Sequence, residues 1–365
     1  MKIKIKNEKA ITLIALVVSI IVLLIFAGIG ISMLTGENGI LNKTIISKQN
    51  MEEAQEKEGI EIAVTSSKME DSYSFEITES SLEKALKNEF GNNVDFLIND
   101  NEDGSFTITF NDTERMYYIK KSGEIIEDDN IFKIKSAEEL KRFRDDVNQG
   151  NTYEGKYVYL ANDINLDINQ EWIPIGIYTK DSPSPDFEEN IPFMGTFDGG
   201  GHEINGIYIN SSEKVKGLFA FVKGATIKNL IIGQNCNING YLGTASIAGY
   251  AYEKSTIYNC SNNSDVYGDQ STGGIVGILV NSTIKNSSNT ARINGKNNIG
   301  GIAGYVTTNS QIYKCYNNGE IDAKENYAGG ISGYTYTNSK VYCSYNKGNV
   351  NGTRNNWRNY RIHKI

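Results

Sequence analysis

The chain has 365 residues, enough for two or three domains or for one domain joined to a repeat array. With 39% hydrophobic and 22% charged residues it can build a core, while a formal net charge of −8 leaves no basic excess to displace counterions from a nucleic acid. Two histidines, His202 and His363, are too few for a histidine-based metal centre or triad, so no metal and no cofactor are expected.

Residues 1–9 read as a cytoplasmic basic leader with Lys2, Lys4, Lys6 and Lys9. Residues 10–35 read as a membrane helix, because Ala10 to Leu34 carries no charged side chain. As a helix that run spans ~37 Å, against a hydrocarbon core of ~30 Å. The positive-inside rule keeps the N-terminus in the cytoplasm and places the rest outside the cell, so a single-pass protein is expected, with the lipid bilayer as a partner.

Lys9-Ala10-Ile11-Thr12-Leu13-Ile14-Ala15-Leu16 resembles the prepilin cleavage and methylation segment of type IV pilins and pseudopilins. The resemblance implies a prepilin peptidase as a partner, cutting between Ala10 and Ile11 and methylating the new amine of Ile11. Ala10 replaces the usual Gly, and Ala15 stands where the family has an acidic residue that serves filament assembly. Those departures point to an anchor or minor pilin rather than a main polymerising subunit.

Residues 36–129 read as a small α+β head of pilin-like size. The membrane helix is expected to continue outward through a charge-rich stretch to about Ser67 and then to fray. Ser80-Ser81-Leu82-Glu83 then opens a short capped helix. Three alternating segments follow at 95–98, 105–110 and 115–119, with Asp103-Gly104 as a hairpin turn. That turn lacks the twelfth-position Glu of a calcium loop, since Phe110 stands there.

Residues 131–210 lead into a solenoid. Ser136 caps an amphipathic helix with Leu140, Phe143 and Val147 on one face, ending near Gly150. Strands are expected at 157–160 and over the alternating run 163–169, and 181–186 is an exposed loop.

Residues 211–352 repeat with a period of about 28. Of the 36 glycines, 25 lie after Met194. One aliphatic column is Leu218, Ile247, Ile275, Ile302 and Ile331; a second is Ile227, Ile257, Ile284, Ile312 and Val341; a third is Ile238, Val266, Ile293, Ile321 and Val350. Three short β-branched segments per period predict a mainly β chain whose C-terminal part is a three-sided parallel β-helix. Gly300-Gly301-Ile302-Ala303-Gly304-Tyr305 and Gly329-Gly330-Ile331-Ser332-Gly333-Tyr334 resemble GLUG repeats, which occur in bacterial surface proteins and beside the catalytic domains of IgA-specific metallopeptidases. The resemblance implies a solenoid and leaves the function open.

Three further features follow from the register. Asp265, Arg292 and Glu320 precede the third column and should form a structural charge ladder. Tyr250, Tyr305 and Tyr334 align after the first column, and Tyr258, Tyr313 and Tyr342 after the second. They are candidate ligand-binding aromatics for a glycan or protein of a host or cell wall, or equally a stabilising ladder. Cys260 and Cys315 share a column with Ser287 and Ser344, so small semi-buried fillers are expected rather than disulfides.

No catalytic constellation emerges. His202-Glu203 begins a zinc-protease string, but Gly206 occupies the second His position. The acids Glu253, Asp265, Asp269, Asp322 and Glu325 are expected at turns. Residues 353–365 form a basic non-repeat tail with Arg354, Arg358 and Arg361, reading as a truncated or altered C-terminus. The chain thus reads as a membrane-anchored, surface-displayed, non-enzymatic adhesion or interaction protein. A minor pilin or pseudopilin, and a carbohydrate-active β-helix enzyme, are the alternatives.

Overall fold

The computed structural model describes residues 40–70, 77–91, 94–100, 105–113, 115–120, 122–126, 130–179 and 188–354. The apolar run 10–34, the processing pair Ala10 and Ile11, the Asp103-Gly104 turn, the loop 181–186 and the tail from 355 lie outside these residues. Among the described residues no helix is long and apolar enough to cross a membrane. The chain divides into two compact units, one ending at Arg115 and including 119–125, the other made of 116–118 and the chain from Ile126.

In the first unit, helix α1 (Ile40–Glu70) and helix α2 (Glu79–Phe90) bury Ile60, Ala63 and Val64 from the one and Leu82 and Leu86 from the other. Gly59 of α1 sits so near the Phe90 ring that a Cβ there would lie 2.3 Å from it. The cap of α2 is Thr78 rather than Ser80. Its hydroxyl accepts from the Ser81 amide at 3.2 Å, and Ser81 returns the bond. Buried Ile77 before the cap and Leu82 four residues into the helix form a hydrophobic staple pattern, which starts the helix two residues earlier than the Ser-Ser-Leu-Glu string implies. Strands β1 (Phe96–Asp100) and β2 (Phe106–Phe110) pair antiparallel in this unit; β3 (Met116–Ile119) and β4 (Ile125–Ile126), whose residues are divided between the two units, follow them in a four-stranded sheet.

The second unit is a parallel β-solenoid of about 28-residue coils. Helix α3 (Ala137–Asn148) is capped by the Ser136 hydroxyl, and it buries Leu140, Phe143 and Val147. The Phe143 ring packs on Phe193 and Phe197 at 5.7 and 5.9 Å, joining the helix to the solenoid core. Of the alternating run 163–169 only Ile164–Asn165 is strand; Asp167 instead accepts from the Asn169 amide and side chain, closing a turn.

All three aliphatic columns stack as read. Ile227, Ile257, Ile284, Ile312 and Val341 are register partners coil after coil, as are Ile238, Val266, Ile293, Ile321 and Val350. Ile247, Ile275 and Ile302 are fully buried, and partly buried Ile331 packs against the same core. This first column lies at a corner between strands. It is held by bonds such as the Ile275 amide to the Ile302 carbonyl and the Ile302 amide to the Ile331 carbonyl.

The solenoid is not three-sided. Its strands form four parallel sheets of six, five, eight and seven strands, and the five coils from Phe219 onward contribute to all four. The extra sheet contains two-residue strands: Ser261–Asn262, Ser288–Asn289, Tyr316–Asn317 and Tyr345–Asn346. A polar pair of that length carries no alternation to read. Its inward residue is nevertheless periodic: Asn262, Asn289 and Asn317 are fully buried, and each donates to the next Asn carboxamide oxygen at 2.7 Å, ending on Asn346. Each of the four also donates to the carbonyl two residues ahead, turning the chain at that corner.

Two corners explain the small residues. Asn229, Asn259, Asn286, Lys314 and Cys343 occupy equivalent places, all with φ between 49° and 53°, a left-handed conformation that Asn tolerates best. The first Gly of each Gly pair is a matter of space instead: a Cβ on Gly300 would lie 2.0 Å from the Ala303 carbonyl oxygen, and one on Gly329 1.8 Å from that of Ser332.

Candidate functional site

The six candidate tyrosines divide into two classes. Tyr250 and Tyr258 are 8% and 2% exposed and cannot meet a ligand as they stand. Tyr250 is covered by Tyr178 and Phe221, whose ring centroids lie 5.4 and 5.5 Å away, in a small apolar cluster on the outside of the five-stranded sheet. Over Tyr258 lies the Lys285 ammonium, 4.6 Å from the ring centre. Tyr305, Tyr313, Tyr334 and Tyr342 remain partly exposed, and they pair in register on the last two coils.

Tyr305–Tyr334 stack at 5.7 Å and Tyr313–Tyr342 at 5.1 Å, with planes within 11°. A third pair, Tyr316–Tyr345, stacks at 5.5 Å and was missed by the sequence reading, although its spacing follows the same repeat. Tyr327 and Tyr336 pack beside Tyr334 at 4.9 and 6.2 Å. Because paired rings cover each other's inner faces, the ladders present phenol rims and hydroxyls to solvent rather than a row of open ring faces. The Tyr342 hydroxyl donates to Gln311 at 3.0 Å, and burial is the first cause raising its pKa.

The charge ladder has a different wiring from the simple stack. The Asp265 carboxylate accepts the backbone amide of Arg292 at 2.9 Å. The Arg292 guanidinium reaches the other way, to Asp322 at 3.1 Å and Glu320 at 3.8 Å. A parallel rung joins Lys296 to Asp269 at 2.7 Å, and Asn297 donates to Glu325 at 2.6 Å. Asp269, Asp322 and Glu325 therefore lie on long strands rather than at turns, with Asp265 and Glu320 directly before them. Five carboxylates tied to neighbouring coils serve register more readily than acid–base chemistry.

Two other polar groupings lie in the second unit. Lys228 is fully buried between the rings of Tyr118 and Tyr157, with Asp198 at 3.4 Å; Asp198 also accepts from Tyr157, Asn229 and the Gly200 amide. His202 Nδ1 lies 3.0 Å from Asp163, whose pKa is lowered first by the Glu203 amide and then by His202. Among the described residues no group of three His, Cys, Asp or Glu side chains is gathered to hold a metal. A shallow cleft of about 190 Å³ beside α3 is lined by Lys141, Arg144, Asp167 and Trp172, but the Trp172 indole is spent on the Leu218 carbonyl.

All four cysteines are free. Cys260 and Cys315 are buried outright, at 2% and 1% exposure, where burial pushes each thiol up to about 12. Their amides bond the hydroxyls of Ser287 and Ser344 in the adjacent coil. Alkylation in native buffer at neutral pH is expected to mark exposed Cys343 quickly and to spare Cys260 and Cys315 until the chain unfolds. Intact mass checks this, and native labelling of all four thiols would contradict the buried columns.

No family model matches the chain, and no curated protein matches it. Among solved structures it is similar to a crystal structure described as a "putative immunoglobulin A1 protease" from Bacteroides ovatus, with 22% identity and a TM-score of 0.46, covering 60% of this chain and 68% of that one.

Proposed function

We propose that the chain is a membrane-anchored, surface-displayed protein whose solenoid serves adhesion or interaction and does no chemistry. The observation that carries this reading is the set of three stacked tyrosine pairs, in register and partly exposed on the last two coils. A parallel solenoid holds such rows on fixed rungs, so a ligand pays little to order them. The carboxylates an enzyme would need are drawn into inter-coil bonds. Anchoring rests on the uncharged run from Ala10 to Leu34 and the lysines before it.

A minor-pilin role is the second reading, favoured by the prepilin-like segment followed by a long helix, α1, and a four-stranded sheet. The discriminating experiment incubates the full chain, in detergent, with a panel of cell-wall and host polysaccharides and follows both retention and release of products. Retention without release is the expected result; steady release of shortened chains would replace this reading with an enzyme. Intact mass of the mature chain beginning at methylated Ile11 would instead favour the pilin reading.

A further inference from the structure

Charge is segregated around the last three coils. The stretches 276–290, 303–319 and 332–349 contain no acidic residue, but they hold Lys285, Lys314, Lys340 and Lys347 and seven tyrosines. The acids of these coils, Glu320, Asp322 and Glu325, all sit at or in the strand Ile321–Gly329 of the six-stranded sheet. A chain that is acidic overall therefore carries a cationic, phenolic face on the other sheets.

The face centres on one corner. Lys285, Tyr313 and Tyr342 are register partners in the eight-stranded sheet, and Gln311 pairs with Lys340 beside them. Tyr316 and Tyr345 stack just past the corner in the seven-stranded sheet. Exposed Lys314 is the corner residue between the two tyrosine columns, and exposed Lys347 has its ammonium 5.4 Å from the Tyr345 ring. Among the described residues no carboxylate forms an ion pair with any of these four lysines, whereas Lys216, Lys223 and Lys296 elsewhere on the solenoid all have one.

We propose that this corner binds an acidic polysaccharide, one bearing a carboxylate on each sugar or every second sugar. This rests on the display reading above and names its ligand class. Lys285, Lys314 and Lys340 lie on three successive coils, ~5 Å and ~10 Å apart along the solenoid axis but in different columns, so the ammonium groups form a patch that a chain bearing many carboxylates can meet at several points. The phenol rims and Gln311 supply hydrogen-bonding partners for sugar hydroxyls. A nucleic acid fits less well: single strands are held by stacking successive bases on open aromatic faces, and here each stacked pair closes one face of both its rings.

The test uses the full chain in detergent with polygalacturonate, neutral dextran and single-stranded poly(dT) as probes, by calorimetric titration. Binding to polygalacturonate is expected to be saturable and to weaken at least about tenfold at ~0.5 M salt, because exposed charges are screened. Replacing Lys285, Lys314, Lys340 and Lys347 together with Gln should weaken it by about tenfold or more, and Tyr313→Phe with Tyr342→Phe by several-fold. Replacing Lys214, Lys216, Lys254 and Lys324 with Gln removes equal charge elsewhere and should leave it within about twofold. Equal losses in the two lysine sets, or tighter binding of poly(dT) than of polygalacturonate, would overturn the proposal. Retention of neutral glycans alone would also overturn it while leaving the display reading intact; release of shortened chains from polygalacturonate would sink the display reading itself.

Discussion

Asn289→Leu is expected to lower the stability of the solenoid by about 3–5 kcal/mol, although the new side chain is apolar and enters an apolar core. The change breaks three buried bonds at once. Asn262 loses the acceptor for one of its carboxamide N–H groups, the Ala291 carbonyl loses the bond that turns the chain, and the Asn317 oxygen is left with the Gly319 amide as a donor. Each orphaned buried group costs about 1–3 kcal/mol, and the transfer gain of a leucine offsets only part of that. Asn294→Leu is the control, since that residue sits on the outward side of the neighbouring long strand and should move stability by less than about 0.5 kcal/mol. Urea midpoints of the two variants measure the contrast, and similar midpoints would show that the ladder carries no special load.

Ile302→Ala should cost about 3–4 kcal/mol, at the middle of the range for emptying a fully buried aliphatic site. The backbone there cannot close in, because Ile302 is bonded to Ile275 on one side and to Ile331 on the other, so the lost volume stays as a cavity. Ile331→Ala at the next rung should cost about half as much, since that side chain is only partly buried before any change. The same urea titration separates them. Equal shifts would mean that the file does not continue inward through Ile302.

The solenoid was legible because its largest side chains obey its period. Columns such as Ile257-Ile284-Ile312 announce both the coil length and the inward face before any coordinate is known. The fourth sheet was hidden for the opposite reason: its inward residue is Asn, which reads as a turn or a surface until it is seen stacked on its own kind. Burial of Tyr250 could not be foreseen, since the cover comes from Tyr178, far away in the entry segment and outside the repeat. The candidate binding face was only half visible. Its tyrosines share columns, but its lysines fall in different ones, so a search for like residues at like positions passes over the feature that unites them, the absence of acid from three sheets over the last three coils. Helix α3 lay at the other extreme, with the Ser136 cap and the buried Leu140, Phe143 and Val147 all where hydrophobic spacing put them.

The most direct test of the account is one distance along the solenoid. Lys133 and Tyr342 are the outward residues at the two ends of an eight-stranded column that passes through Tyr159, Asp198, Lys228, Tyr258, Lys285 and Tyr313. Spin labels placed on those two positions, with the native cysteines replaced by Ser, as Ser287 and Ser344 already stand in the same column, report their separation by pulsed electron resonance. Seven strand spacings predict a narrow distribution near ~34 Å. A broad distribution, or a mean below about 25 Å, would contradict a continuous stack of coils, and with it a fixed surface on which the tyrosines and lysines could act together.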